Sequence, residues 1–205
     1  VSSTNRKKQP VNPSEFFPTP AWCVHRFLEK TQLPAGKWIE PCAGYGDIIT
    51  AVNEKRTDAI WTANELRTDT RDKLEPIADQ VHIGDYLNWQ PTEHYRVAIT
   101  NPPFSLAMEV ILKSLEIADW VVMLLRLNYL GTTERNAFFK TMMPDIYVIP
   151  ERPSFDGKGT DSIEYAFFLW GPEGLRNRSK GCIELLNTTP LAIRKDHKQN
   201  PTIPT

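Results

Sequence analysis

Trp38-Ile39-Glu40-Pro41-Cys42-Ala43-Gly44-Tyr45-Gly46-Asp47 reads as a short apolar strand running into a glycine-rich turn, with a helical pattern over 48–55 after it. Two glycines in such a turn let the backbone bend sharply and approach whatever lies beyond the strand. The spacing is not Gly-x-Gly-x-x-Gly, and no Lys-Ser or Lys-Thr pair follows. A phosphate-cradling loop is therefore not expected.

Downstream, Ala59-Ile60-Trp61-Thr62-Ala63 predicts a second strand ending at Asn64-Glu65, and 68–78 a polar helix. Val81-His82-Ile83 predicts a third strand ending at Gly84-Asp85-Tyr86. Tyr95-Arg96-Val97-Ala98-Ile99 predicts a fourth, which runs into Thr100-Asn101-Pro102-Pro103-Phe104. Ser105 is placed to cap the next helix, whose apolar stripe is Met108, Ile111, Leu112 and Leu115. Trp120-Val121-Val122-Met123-Leu124-Leu125 is apolar throughout, as a strand covered on both faces requires. A helix with Phe138, Phe139, Met142 and Met143 follows, then strands over 145–149 and 163–170. Upstream, Thr19 is expected to cap a helix with Pro20 in its first turn and Val24, Phe27, Leu28 and Thr31 on its buried side. Pro34-Ala35-Gly36 ends it. This alternation predicts an α/β doubly wound sheet.

The organisation expected is a mobile polar arm over 1–15, one domain over 16–170 and a polar extension over 171–205 that ends proline-rich. Apolar residues form 40% of the chain, enough for a core, and the formal net charge of -1 argues against a histone-like polyanion binder. Nucleic-acid contact would then depend on local patches such as Arg6-Lys7-Lys8, Arg126, Arg135 and Lys158. Cys23, Cys42 and Cys182 are far apart with no Cys-x-x-Cys pair, which suits a reducing compartment and gives no metal site. No apolar run reaches membrane-spanning length, and the polar opening does not read as a signal peptide. A cytoplasmic location, without membrane contact, is expected.

Three acidic residues close three successive strands: Glu40, Glu65 and Asp85. In an open α/β sheet, ligands collect beyond these carboxyl ends. Glu40 suits a positively charged group, Glu65 a pair of ribose hydroxyls, and Asp85 the amino group of an adenine ring. Pro41, Cys42, Ala43, Gly44 and Gly46 of the turn, with Tyr86, complete the expected cofactor site. S-adenosylmethionine has a ribose, an adenine, an ammonium and a sulfonium, which this set serves without a phosphate pocket.

The Asn101-Pro102-Pro103-Phe104 turn suggests the acceptor. An exocyclic amine on a nucleobase is a poor nucleophile because its lone pair is delocalised into the ring. Accepting hydrogen bonds from both of its N–H groups favours a pyramidal nitrogen. The Asn101 side-chain oxygen and the Pro102 carbonyl supply two acceptors, which the prolines hold in place. Phe104 offers a face for a swung-out base.

These two motifs, in this order, resemble the S-adenosylmethionine-dependent adenine methyltransferases with the gamma order of motifs. Phe17-Pro18-Thr19-Pro20 is similar to that family's N-terminal motif, which contacts the methionine part of the cofactor, and adds Phe17, Thr19 and Pro20 to the implied cofactor site, with Asn101. Downstream, the runs 125–130 and 151–155, with Gly157-Lys158 and Asp161 before Tyr165-Ala166-Phe167-Phe168, look like small methyltransferases of phages and prophages. The resemblance covers about 15–170. It implies a mostly parallel, seven-stranded Rossmann-like methyltransferase sheet and adenine methylation in DNA. It also implies Tyr129 or Phe155 as a second wall of the base pocket, with Arg152 and Lys158 on phosphate. The DNA partner has RNA as its alternative. An RNA base amine, a protein glutamine, or a non-catalytic binding protein that keeps the fold remain open from the sequence.

Overall fold

The computed structural model describes residues 17–155, 162–172 and 181–196. The expected arm, the Arg6-Lys7-Lys8 cluster, Lys158 and Asp161 lie outside the described residues. The helices are α1 (Ala21–Lys30), α2 (Asp47–Asn53), α3 (Arg71–Leu74), α4 (Ala107–Ile117), α5 (Thr133–Thr141) and α6 (Leu191–Asp196). The strands are β1 (Gly36–Glu40), β2 (Ala59–Glu65), β3 (Gln80–Ile83), β4 (Tyr95–Thr100), β5 (Ala118–Arg126), β6 (Asp145–Val148), β7 (Tyr165–Trp170) and β8 (Ile183–Leu185).

They form one sheet in the order β3-β2-β1-β4-β5-β7-β6-β8. Strands β3 to β5 in that order run parallel, and β7 is antiparallel to both β5 and β6. The sheet has eight strands rather than the expected seven. The eighth comes from the segment read as a polar extension: β8 adds in parallel to β6 with all three residues exposed. A strand held by backbone bonds alone leaves little apolar trace in a sequence.

Side chains alternate between two helix-covered faces. Val97, Ile99, Val122, Leu124, Tyr165 and Phe167 share one buried cluster with α1 and α2. Ala98, Val121, Met123, Leu125, Phe168 and Trp170 share the other with α4 and Phe139 of α5. Trp38 and Trp61 are register partners on β1 and β2, packed edge to face with ring centroids 5.3 Å apart. Their indole N–H groups reach the Pro34 carbonyl and Asn53 Oδ1, each at 2.9 Å, so the rings are buried without an unpaired donor.

Several local expectations are corrected. The N-cap of α1 is Pro20, not Thr19, and the buried side of α1 is Trp22, Cys23, Val24 and Phe27. The Thr19 hydroxyl is engaged by Asn101 instead. Helix α4 is preceded by a 3-10 turn over Phe104–Leu106, so Ser105 does not cap it. That turn rotates the buried stripe to Ala107, Val110, Ile111 and Ser114, leaving Leu112 exposed. Small residues on this stripe allow close approach: Tyr86 Oη and Ser114 Oγ are 2.9 Å apart. Helix α3 stops at Leu74, four residues short of the expected end, because Pro76 has no N–H to continue the ladder.

Gly46 carries a left-handed φ of 81°, and a Cβ built there meets Ile77 Cδ1 at 2.2 Å. Gly46→Ala is therefore expected to destabilise the chain by about 2–4 kcal/mol, from the positive φ and from crowding together. In denaturant titrations, adding Ile77→Ala should recover about 1 kcal/mol of the additive expectation. Strict additivity would show that Ile77 is not the obstruction.

Candidate active site

One cleft runs along the carboxyl ends of β1, β2, β3 and β4. Its lining includes Phe17, Thr19, Glu40, Pro41, Cys42, Ala43, Gly44, Glu65, Asp85, Tyr86, Asn101 and Pro103. The sequence-predicted turns therefore meet in one concavity, where β1 lies between β2 and β4 and connections leave in opposite directions. The Asn101 corner opens onto the same groove as Gly44, Glu65 and Asp85.

The floor is acidic. Glu40 is 2% exposed and its Oε2 has no hydrogen-bond partner. Burial, then the negative charges of Asp47 and Glu65, push its carboxyl well above the usual range, against one bond from the Ile49 backbone N–H. Burial also raises Asp47, at the first turn of α2, to about 6, with Lys73 pulling the other way. An unpaired carboxylate in so dry a place is costly, and a cation in the cleft would satisfy it.

Glu65 holds the turn. Its Oε2 accepts from the Gly44 N–H at 2.7 Å, and its Oε1 from the Arg67 N–H at 3.0 Å. Each oxygen keeps a second lone pair for a hydroxyl. Asn64 ties three strand ends together: its Nδ2 donates to the Pro41 carbonyl at 2.9 Å, which turns Oδ1 towards His82 Nδ1 at 2.7 Å. That nitrogen must then carry the proton, and burial holds His82 below its ordinary value. Thr100 Oγ1 joins the β4 end to the turn, accepting from Cys42 N at 3.2 Å and donating to Cys42 O at 3.3 Å. Burial, with Glu65 and Glu40 nearby, raises the Cys42 thiol far above its usual value, so it remains a thiol.

Asp85 is exposed and locally engaged, accepting from Leu87 N at 2.9 Å and from Asn88 Nδ2 at 2.7 Å. Lys113 of α4 donates to the Leu87 and Trp89 carbonyls and fixes that loop. Tyr45, between the two glycines, is flanked by Lys73 Nζ at 3.7 Å and the Arg67 guanidinium at 4.8 Å from its ring centroid.

Asn101 presents the acceptor group. Its Nδ2 donates to the Phe17 carbonyl at 3.3 Å and to Thr19 Oγ1 at 3.2 Å. Because a carbonyl can only accept, this fixes the amide, and Oδ1 is left buried without a partner. Pro102 is buried and, like Phe104, is not part of the cleft lining, whereas Pro103 is. Phe104 packs among Phe17 at 5.8 Å, Tyr165 at 6.1 Å and the Arg126 guanidinium at 4.3 Å. Pro20 and Gly46, expected in the cofactor site, cap α1 and α2 and are not part of the cleft lining.

The remaining substrate candidates are dispersed. Phe155 is buried against Tyr165 and Phe17, in the same cluster that Phe104 joins. Tyr129 packs on the other sheet face with Phe139 and Phe168 and is covered by the Arg135 guanidinium at 3.9 Å. Arg152 is exposed and paired with Glu164 at 2.6 Å. Sequence reading missed Asp47, Asn64 and Arg67 as lining residues. Asp47 and Asn64 adjoin residues that were singled out, but neither carries a spacing signal of its own.

No group of three or more metal-ligating side chains occurs among the described residues, and no described helix is long and apolar enough to cross a membrane. No protein-family model matches the chain, and no curated protein sequence matches it. Solved structures do. A Listeria monocytogenes protein described as a class I S-adenosylmethionine-dependent methyltransferase superposes with a TM-score of 0.58 at 11% identity, over 84% of this chain. The chain spans 65% of that protein's length. An Agrobacterium tumefaciens protein described as an O-methyltransferase gives 0.61 at 17% identity, over 88% of this chain and 96% of the other. The 23S rRNA methyltransferase ErmE gives 0.55 at 15% identity, over 90% and 78%. The chain has the Rossmann-like fold of the class I S-adenosylmethionine-dependent methyltransferases.

Proposed function

We propose that this chain transfers a methyl group from S-adenosylmethionine to the exocyclic amine of adenine in DNA. The observation that carries this reading is the pairing, in one cleft, of the buried partnerless Asn101 Oδ1 with the buried, partnerless Glu40 Oε2. One is an acceptor waiting for an N–H; the other is a carboxyl waiting for a cation.

The residues fit the cofactor's groups. Glu40 and Asp47 suit its ammonium, the spare lone pairs of Glu65 its ribose hydroxyls, and the Asp85 loop its adenine edge. When bound, the sulfonium supplies an activated methyl group. Asn101 Oδ1 accepts from the target amine and biases its lone pair outward. Thr19 and Phe17 keep the Asn101 amide from turning over. Phe17, Leu106 and Val110 give the cleft an apolar wall beside these polar groups. No general base is needed, since the proton leaves to water after transfer.

Three readings are separated by a labelling assay and a binding measurement. Purified chain, labelled cofactor and DNA, RNA or protein are incubated, and the products are digested to nucleosides or amino acids. Label in N6-methyladenine from DNA supports the proposal. Label only in RNA or glutamine rejects the DNA acceptor, and failure to bind S-adenosylmethionine by calorimetry supports a non-catalytic protein.

Asn101→Ala is expected to lower kcat by about 100-fold or more, as for loss of one aligned polar contact in a dry site, with the cofactor Kd within about threefold. Glu65→Ala should weaken cofactor binding at least about tenfold, since the Gly44 turn loses its anchor. Equal loss of cofactor affinity in both variants would contradict the separation of the two subsites.

Cofactor affinity should also depend on pH. Asp47 is raised to about 6, so it gains a proton as pH falls through that value and its attraction for a cation disappears. Calorimetry at pH 5 should give a Kd about tenfold above that at pH 7.5, and Asp47→Asn should flatten the profile. A wild-type Kd constant across this range would remove Asp47 from the cation subsite.

A further inference from the structure

The ring expected to receive the target base is already covered. The Arg126 guanidinium carbon lies 4.3 Å from the Phe104 ring centroid, and Arg126 Nε donates to Tyr165 Oη at 3.2 Å. Arg126 and Tyr165 are register partners across the antiparallel β5–β7 pair, so the backbone itself places the guanidinium and hydroxyl side by side. Tyr165 in turn packs on Phe104 and Phe155. Arg126 is the last residue of β5, next to β4, whose end leads to Asn101. Both Arg126 and Phe104 are only half-buried.

We propose that Arg126 gates the acceptor subsite: it covers the Phe104 face in the unloaded chain and turns to a backbone phosphate of the nucleic acid when a base takes that face. This rests on the nucleic-acid reading above. A guanidinium is the side chain suited to both states, being planar enough to lie on a ring and forked to grip a phosphate. The magnitudes favour exchange. A cation on a partly exposed ring is worth a factor of ~2 to 5, whereas a base stacked on an aromatic side chain is worth ~5 to 150. A base therefore replaces the guanidinium on the ring, and the phosphate contact of the released charge replaces the Tyr165 bond that it gives up.

The test uses the full chain and the variants Arg126→Ala and Arg126→Lys, with duplex DNA, RNA and free adenosine as probes. Binding to DNA is measured from 50 to 200 mM salt. Removing one phosphate contact should reduce the slope of log affinity against log salt by about 0.9 in Arg126→Ala, while Arg126→Lys retains it. Transfer to adenosine, which has no phosphate, should rise about two- to fivefold in kcat/KM in Arg126→Ala, because the ring is uncovered. Transfer to DNA should fall in Arg126→Ala. Opposite signs for nucleoside and polymer distinguish a gate from damaged packing. Unchanged salt slopes, or a parallel loss on adenosine and DNA, overturn the proposal. A phosphate effect seen with RNA and absent with DNA assigns the gate to RNA and overturns its DNA form. If the wild-type chain binds S-adenosylmethionine and methylates no nucleic acid, the acceptor reading itself falls, and this one with it. Methylation by the wild type with an unaltered Arg126→Ala slope removes the gate alone.

Discussion

The 2.7 Å bond from the Gly44 N–H to Glu65 Oε2 is the constraint around which the cleft is arranged. It spans two strand ends: Gly44, at a φ of 56°, supplies the donor, while Gly46, at 81°, closes the turn by donating to the Ala43 carbonyl at 2.7 Å. Glu65 is 8% exposed, and without those donors its charge would be poorly compensated. The same turn places Asp47 at the positive end of α2, which offsets part of its desolvation. Glu40 sits behind both with less support. The turn thus tolerates a concentration of acidity that the fold alone does not need, and the excess is directed at the cleft.

That arrangement is braced by neutral groups. Asn64 links the ends of β1, β2 and β3 through Pro41 O and His82, and Thr100 links β4 to Cys42. His82 lies flat on Trp89, with ring centroids 4.4 Å apart, and Lys113 holds the loop that carries Trp89. The Asn64–Pro41 and Thr100–Cys42 bonds tie backbone at one strand end to a side chain from a neighbouring one. A site built on strand ends in this way is positioned by the sheet's own register and not by loop packing.

The strand succession was legible because β1 and β4 are closed by residues that cannot continue a strand, the glycine turn and Asn-Pro-Pro, and because β5 is a long apolar run. The acidic strand ends were legible for the same reason, since chain position alone puts Glu40, Glu65 and Asp85 at one rim. Packing by small residues was not. Ala107 and Ser114 line the buried side of α4, yet a hydrophobicity pattern gives that role to Leu112. Strand β8 was invisible because exposed residues on an edge need no apolar alternation. Thr19 looked like a helix cap, and its actual partner is Asn101, 82 residues away. Local propensity cannot register a bond that exists only once two distant turns meet. The polar pattern over 68–78 runs past Pro76, which ends the hydrogen-bond ladder of α3.

Residues 17–19 do more than close the cleft. Phe17 and Thr19 line it, and the same two residues hold the Asn101 amide with bonds of 3.3 and 3.2 Å. Both are longer than the usual N–H···O distance, so the amide is oriented by geometry more than by bond strength. The Phe17 ring also packs with Phe104 and Phe155, at centroid distances of 5.8 and 6.0 Å. One short segment is therefore a wall of the acidic cleft, the support of the amine acceptor and a neighbour of the stacking ring. The two subsites are distinct in chemistry and share a mechanical support.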